Sequence, residues 1–252
     1  MSNANRREQL RQQQMAQAAQ ARTRRLIGIG VGVVALALVV VMVWVALTQM
    51  SNRGTSGQVP NAVNGASVLV NPGKAKAGAK KVTLYVDYQC PICKKFEESY
   101  GPVVQQMADA GEIEYHVTVM TFMDNNLKNT ASTRAAVAAT CTDASGKFPQ
   151  ATQEIFKQQE AEEIPGSIGY TDDFLKTQLP TSLGITGDQL STYQQCYTSR
   201  ATKGLTESMN KAAYDAGVTS TPTLTVNGTK VQFPNPGTVD PQAIRQIIEQ
   251  AS

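Results

Sequence analysis

The chain contains one histidine, His116. With no second imidazole, and with His116 on the polar phase of its own segment, a Cys–His nucleophile pair of the hydrolase type has little support. His116 is expected instead as a partly solvated strand side chain. Cysteine is scarce as well: Cys90, Cys93, Cys141 and Cys196 are all there is. A Cys₄ zinc site draws on two close pairs, and only one close pair exists. Excess charge is missing too. The net charge is +3, much of it in an arginine-rich N-terminal tail, so the remainder offers no basic surface suited to nucleic acid. No internal repeat is present.

Charged and strongly polar side chains are also absent from Leu26 to Leu47. At ~1.5 Å rise per residue that stretch covers a hydrocarbon core of ~30 Å, so residues 26–47 read as a membrane span. Arg6, Arg7, Arg11, Arg22, Arg24 and Arg25 precede it against Glu8 alone, whereas Arg53 is the only basic residue between the span and Lys74. The positive-inside bias keeps residues 1–25 cytoplasmic and exports the chain beyond Trp44. A cleaved signal peptide is the rival reading. Its apolar core runs to roughly 7–15 residues, shorter than this one, which continues into Leu47-Thr48-Gln49-Met50. An uncleaved anchor is therefore expected. Residues 48–80 are rich in Ser, Asn, Gly and Pro and read as a tether, with Ser67-Val68-Leu69-Val70 as an edge strand inside it.

The thiols that are present carry the chemistry. Cys90-Pro91-Ile92-Cys93 comes directly after the strand-like run Val82-Thr83-Leu84-Tyr85-Val86 and its short turn, and opens a helix. Unpaired N–H groups of a first helical turn and the positive end of its dipole stabilise a thiolate at Cys90. Pro91 suits the first helical position because its missing N–H costs nothing there. The arrangement reads as a thiol–disulfide redox centre. Four cysteines allow three pairings, and export favours disulfides. Ordinary CxxC chemistry assigns Cys90 to Cys93 and leaves Cys141 to join Cys196 as a structural bridge.

Around this centre a β-α-β unit is expected: the strand Val82–Val86, a long helix from Cys93 to about Ala110, and a strand over Ile113–Val119. Residues 123–216 read as helical throughout, with segments near Asn129–Thr140, Phe148–Glu160, Thr171–Leu179, Asp188–Cys196 and Ala201–Ala216. After Gly217 the strand pattern returns at Thr223–Val226 and Thr229–Gln232 around an Asn227-Gly228 turn. A closing helix is expected over Pro241–Gln250.

The run Val86-Asp87-Tyr88-Gln89-Cys90-Pro91-Ile92-Cys93-Lys94-Lys95-Phe96 resembles the active-site segment of DsbA-type thioredoxin-fold proteins, and Gly217-Val218-Thr219-Ser220-Thr221-Pro222-Thr223 resembles their cis-proline loop. The tethered arrangement with an extra cysteine pair is similar to the membrane-anchored actinobacterial members. The resemblance implies an α/β thioredoxin fold built from 81–122 and 217–252, an all-helical insertion over 123–216, and one transmembrane helix before them. It implies that Cys90 is the exposed nucleophile, that Cys93 is the buried resolving thiol, and that Thr221-Pro222 is a cis peptide beside the sulfurs where a client backbone pairs.

Three departures bear on what carries over. Ile92 stands where strongly oxidising members often place histidine, which implies a milder oxidant. Leu84 stands where many relatives carry a buried acid, leaving water or Asp87 to handle the Cys93 proton. Thr221 places a hydroxyl before the proline, as in some isomerases and reductases. Pro91, Ile92 and Asp87 are thus candidates for tuning thiol acidity, and Lys94 and Lys95 favour the thiolate only at short range. The expected activity is disulfide formation in exported cysteine-containing proteins, without a cofactor. The resemblance further implies reoxidation by a membrane enzyme of the DsbB or vitamin K epoxide reductase-like type. A reductase or isomerase with the same centre, and a non-enzymatic tethered scaffold, are the alternatives.

Overall fold

The computed structural model describes residues 58–251; the expected anchor over 26–47 and the basic tail over 1–25 lie outside them. Among the described residues no helix is long and apolar enough to cross a membrane.

Seven residues, β3 (Lys80–Val86), form the centre of a six-stranded sheet. Its neighbours are β4 (Ile113–Val119), which runs parallel to it, and β5 (Thr223–Val226), which runs antiparallel. With a strand on each side and cover above and below, Val82, Leu84 and Val86 are buried, and Thr83 joins them. One edge is completed by β6 (Thr229–Val231), joined to β5 through Asn227 and Gly228. Both turn residues have positive φ, +50° and +84°, the backbone that Asn-Gly tolerates between strands. At the other edge, β1 (Ala62–Val63) and β2 (Ser67–Leu69) form a hairpin whose second strand pairs with β4. The segment expected as a tether with one edge strand thus supplies two strands.

That hairpin corrects the expectation for His116. β2 pairs along β4 and α8 (Lys203–Asp215) packs against it, so that in the polar phase His116 and Thr118 are buried while Glu114 stays partly exposed. His116 is 1% exposed. Its Nδ1 lies 3.0 Å from Ser67 Oγ and its Nε2 lies 2.7 Å from Glu114 Oε1. Burial holds its pKa below the ordinary imidazole value.

The long helix expected over 93–110 is two helices, α1 (Pro91–Ser99) and α2 (Gly101–Asp109), meeting at Tyr100. Pro102 has no N–H for the carbonyl of Glu98, so the ladder breaks one residue after Gly101. Gly101 leaves room at the break for the Glu97 carboxyl, since a Cβ there would lie 2.7 Å from Glu97 Oε1.

The insertion begins with α3 (Met123–Leu127) and α4 (Ala131–Cys141), followed by α5 (Phe148–Lys157). A π-helical turn over Phe174–Gln178 runs into α6 (Leu179–Ser182), and α7 (Gly187–Ser199) and α8 complete it. The expected helix over 171–179 is present from Asp172, but its middle is wound as the π-helical turn and it continues to Ser182. Cys141 and Cys196 are joined by a disulfide with Cα atoms 5.9 Å apart, tying the end of α4 to α7. Sheet and insertion share one apolar core: Leu84, Val117 and Leu224 continue through Phe96 and Tyr100 to Phe148, Ile155 and Leu175. The last helix, α9 (Ala243–Gln250), packs Ile244 and Ile248 into it.

Candidate active site

Cys90 is the residue capping the N-terminus of α1, with extended backbone (φ −78°, ψ 116°) and Pro91 directly after it. The turn into the helix is closed by Cys90 N–H donating to the Asp87 carbonyl at 3.0 Å, and Lys94 N–H returns to the Cys90 carbonyl at 3.2 Å. Placing the thiol at this cap aims the first-turn N–H groups at its sulfur. Both Cys90 and Cys93 carry free thiols here.

Across from α1 lies the loop before β5, where Thr221-Pro222 is a cis peptide. The Cys90 thiol donates to the Thr221 carbonyl at 3.3 Å. Thr221 Oγ1 is buried and has no hydrogen-bond partner; it is placed to favour ionisation of either sulfur. Cys90, Cys93, Thr221 and Pro222 are therefore brought together from segments about 130 residues apart in sequence, the Cys90–Thr221 separation being 131.

The two thiols differ sharply in acidity. Cys90 is lowered from 9.0 to about 6, first by the hydrogen bond from Cys93, then by the Thr221 hydroxyl and by the backbone N–H groups of Cys93 and Ile92, against the opposing effect of burial. Cys93 is pushed well above 9.0, first by burial and then by the neighbouring Cys90. Cys90 is nevertheless only 7% exposed, against 1% for Cys93. The expectation of an exposed nucleophile is corrected: Cys90 is buried, with the Thr221 carbonyl 3.3 Å from its sulfur. Ile92 beside it is 44% exposed and contributes only its backbone N–H.

Asp87 sits at the end of β3 and is fully buried. Its Oδ1 accepts from Gln89 N–H and from the Ser132 hydroxyl, and its Oδ2 accepts from Met123 N–H at 3.0 Å. Burial raises its pKa to about 7 in spite of those three donors, and Asp124 adds repulsion. The carboxyl is thus committed to α3 and α4; what Asp87 presents to the Cys93 sulfur is its backbone N–H. The proton-handling role considered for its side chain has no contact behind it. Lys94 Nζ is turned toward the Lys157 carbonyl (3.5 Å) and Glu98 (4.0 Å), and Lys95 is exposed.

Several residues that hold the site carry no sequence signal. Gln159 Nε2 donates to the Tyr88 and Cys90 carbonyls at 2.7 and 3.1 Å. The Tyr170 hydroxyl donates to the Tyr88 carbonyl at 2.6 Å. Gln89 Nε2 donates to Asp124, Asn129 and Ser132. Glu97, one turn beyond Cys93, has its carboxyl enclosed against Gly101 and Gln153, and burial raises its pKa to about 7. Only Gln89 lies within the recognisable motif; the others are 7 to about 80 residues from Cys90, Tyr170 standing 82 from Tyr88. Among the described residues no cluster of three or more His, Cys, Asp or Glu is arranged for a metal ion, and the Cys141–Cys196 disulfide removes two sulfurs from any zinc site.

No curated protein sequence matches the chain significantly. Solved structures do match in fold. The MdbA protein, a thiol-disulfide oxidoreductase from Actinomyces oris, superposes with a TM-score of 0.62 at 17% identity, covering 79% of this chain and 95% of that one. The MdbA protein from Corynebacterium diphtheriae gives 0.59 at 18% identity, with 78% and 98% covered. Reduced DsbA from Mycobacterium tuberculosis gives 0.54 at 24% identity, with 74% and 99% covered. All three share its fold. The family described as Thioredoxin matches residues 70–250, a span that takes in both halves of the sheet from β3 onward, the CxxC helix start, the cis-proline loop and α9, and the chain belongs to that family.

Proposed function

We propose that the chain is a membrane-tethered thiol–disulfide oxidoreductase that forms disulfides in exported proteins by exchange through Cys90 and Cys93. The observation that carries this reading is the placement of Cys90 Sγ at the start of α1, 3.3 Å from the Thr221 carbonyl. The MdbA oxidoreductases, which share its fold, support it.

In the oxidised enzyme a client thiolate attacks Cys90 Sγ, the Cys90–Cys93 bond breaks, and Cys93 leaves and takes a proton. A second client thiolate then attacks the client sulfur of the mixed disulfide. Cys90 departs as the leaving thiolate, and the client keeps the new disulfide. Two electrons pass from client to enzyme. An acidic leaving thiol leaves faster, which suits Cys90 to the second step. Lowering its pKa by three units stabilises the ionised, reduced form by about 4 kcal/mol above pH 9, but at pH 7 only about one unit is expressed, about 1.4 kcal/mol or about 30 mV. That is a modest oxidant.

The anchor is residues 26–47, with residues 1–25 cytoplasmic and the catalytic domain outside. Return of Cys90 and Cys93 to the disulfide falls to a membrane enzyme of the DsbB or vitamin K epoxide reductase-like type. The test is oxidative refolding of a reduced multi-cysteine protein by the oxidised enzyme. Formation of native disulfides at a rate proportional to enzyme supports the reading; an inert enzyme, or one equally active as Cys90→Ser, removes it. A reductase or isomerase is the second reading, favoured by the Thr221 hydroxyl beside the sulfurs. Cys90 held mostly reduced in cells would select it.

A further inference from the structure

The helical insertion contains a cavity of about 270 Å³ remote from the thiols in sequence, walled by α4, the π-helical turn and the C-terminal end of α7. Its lining includes Thr133, Arg134, Asp172, Lys176, Tyr197 and Arg200. Nothing in the exchange chemistry uses these residues.

The walls are fixed. The Cys141–Cys196 disulfide joins α4 to α7 immediately beside the cavity, since Tyr197 is next to Cys196 and Val137 lies one turn before Cys141. Arg134 is largely buried, with 13% of its side chain exposed. Its guanidinium donates to the Tyr170 carbonyl (2.7 Å), the Ile168 carbonyl (2.5 Å) and Asp172 Oδ1 (3.2 Å). The same Asp172 oxygen accepts the Tyr197 hydroxyl at 2.7 Å. Arg134 therefore forms a rigid floor.

The rim is cationic and lacks partners. Among the described residues neither Lys176 nor Arg200 has a carboxylate within ion-pair distance. Arg200 occupies the position after α7 with φ +53°, left-handed backbone that favours glycine or asparagine and is unfavourable for an ordinary side chain. An arginine in that place sets a guanidinium at the cavity mouth. Asp172 is ionised at neutral pH, its pKa lowered first by the Tyr197 hydroxyl and then by Arg134 and Arg200. Three cations (Arg134, Lys176, Arg200) less one carboxylate (Asp172) leave two positive charges around the cavity.

We propose that this cavity is a binding site for a phosphate group, held by Lys176 and Arg200 over the Arg134 floor, with Thr133 as a hydroxyl donor. A phosphate dianion balances both unpaired charges, where a carboxylate would balance one. Its oxygens also match the fork of an arginine and the point charge of a lysine. The phosphate comes either from free inorganic phosphate or from a lipid phosphomonoester headgroup such as that of phosphatidic acid, since both reach the dianion that a phosphodiester headgroup does not.

The test uses the full chain in phosphatidylcholine nanodiscs, and reads the acetylation rate of Lys176 by peptide mass spectrometry. Lys230, exposed on β6, is the internal reference, and a site-specific readout is blind to lipid binding by the N-terminal arginines. With inorganic phosphate at about nine times its Kd, acetylation of Lys176 slows about tenfold relative to Lys230, because protection scales as 1 + [L]/Kd. Arg200→Ala abolishes that protection. Protection by added phosphate assigns the free ion; protection that instead requires nanodiscs doped with phosphatidic acid assigns the headgroup. Absence of protection under both conditions, or protection that persists in Arg200→Ala, overturns the proposal.

Discussion

The Cys90 thiol donates to the backbone carbonyl of Thr221 across 3.3 Å, so the loop before β5 and the first residue of the CxxC segment share one hydrogen bond. The carbonyl accepts from the neutral thiol only. When Cys90 ionises, the sulfur turns to the donors that remain: Cys93 S–H, the Thr221 hydroxyl and the N–H groups of Ile92 and Cys93. Two protonation states of one sulfur thus use two sets of partners on the same pair of elements.

Thiolate absorbance of the reduced enzyme should therefore titrate with a midpoint near the lowered value of about 6. The stability of reduced relative to oxidised enzyme changes with pH in a defined direction. A lowered folded pKa contributes stability that is full above the unfolded value of 9.0 and is lost as pH falls through about 6. Denaturation of the two redox forms at several pH values should show the reduced form gaining between those limits. Equal pH dependence of the two forms would contradict it. Thr221→Val, which keeps the carbonyl and removes the hydroxyl, should raise the midpoint.

Asp87 gives the opposite slope. Its folded pKa of about 7 lies above the ordinary 3.8, so the folded state holds a proton that the unfolded chain has released, and stability falls as pH rises between those values. The full effect is about 4 kcal/mol, an upper figure for a buried carboxyl. Asp87→Asn cannot ionise, but its amide cannot accept from Met123 N–H as Oδ2 does. The variant should be the less stable protein at pH 4 and should close or reverse that difference by pH 8 in urea titrations. Parallel curves would mean that Asp87 is not held protonated.

Much of this site is legible from local pattern. Val82–Val86 leading into Cys90-Pro91-Ile92-Cys93 announces a strand ending at a helix cap, and Asn227-Gly228 announces the β5–β6 hairpin, because each depends on neighbours in sequence. The break at Gly101-Pro102 is equally local, yet the apolar spacing on both sides suggests one helix and masks the missing N–H of Pro102. His116 illustrates a different limit: alternation marks the polar phase of β4, but burial of His116 depends on β2 pairing alongside and α8 packing against the strand. Gln159 and Tyr170 are less accessible still. They reach the carbonyls of Tyr88 and Cys90 from the insertion, and nothing about a glutamine after α5 distinguishes it until the chain is folded.

The Cys141–Cys196 bridge closes a loop of 55 residues, for which loss of chain entropy in the unfolded state corresponds to about 4 kcal/mol. Replacing both cysteines by serine should lower the unfolding free energy by about 2–4 kcal/mol. Thiol exchange at Cys90 should persist below the new melting point, because the bridge ties α4 to α7 and is not among the groups that set the acidity of Cys90 or Cys93. Parallel loss of exchange at temperatures where the variant stays folded would show that the bridge acts on the site and not only on the unfolded chain.

Gln159 offers the sharpest separation of positioning from acidity. Its amide donates to the carbonyls of both Tyr88 and Cys90, yet it supplies no hydrogen bond to either sulfur. Gln159→Ala removes one donor from each of two carbonyls; Tyr88 keeps the Tyr170 hydroxyl and Cys90 keeps Lys94 N–H, so the loss lies near the lower end of about 1–3 kcal/mol. A cap residue freed on that side samples orientations in which Sγ no longer meets the attacking thiolate in line, so the exchange rate should fall. The thiolate midpoint should stay within a few tenths of a unit, because the donors that lower it come from α1 and Thr221. Stopped-flow exchange with a small thiol, set beside the absorbance titration, distinguishes the two. A midpoint that rises together with a slower rate would place Gln159 among the groups that set the acidity of Cys90.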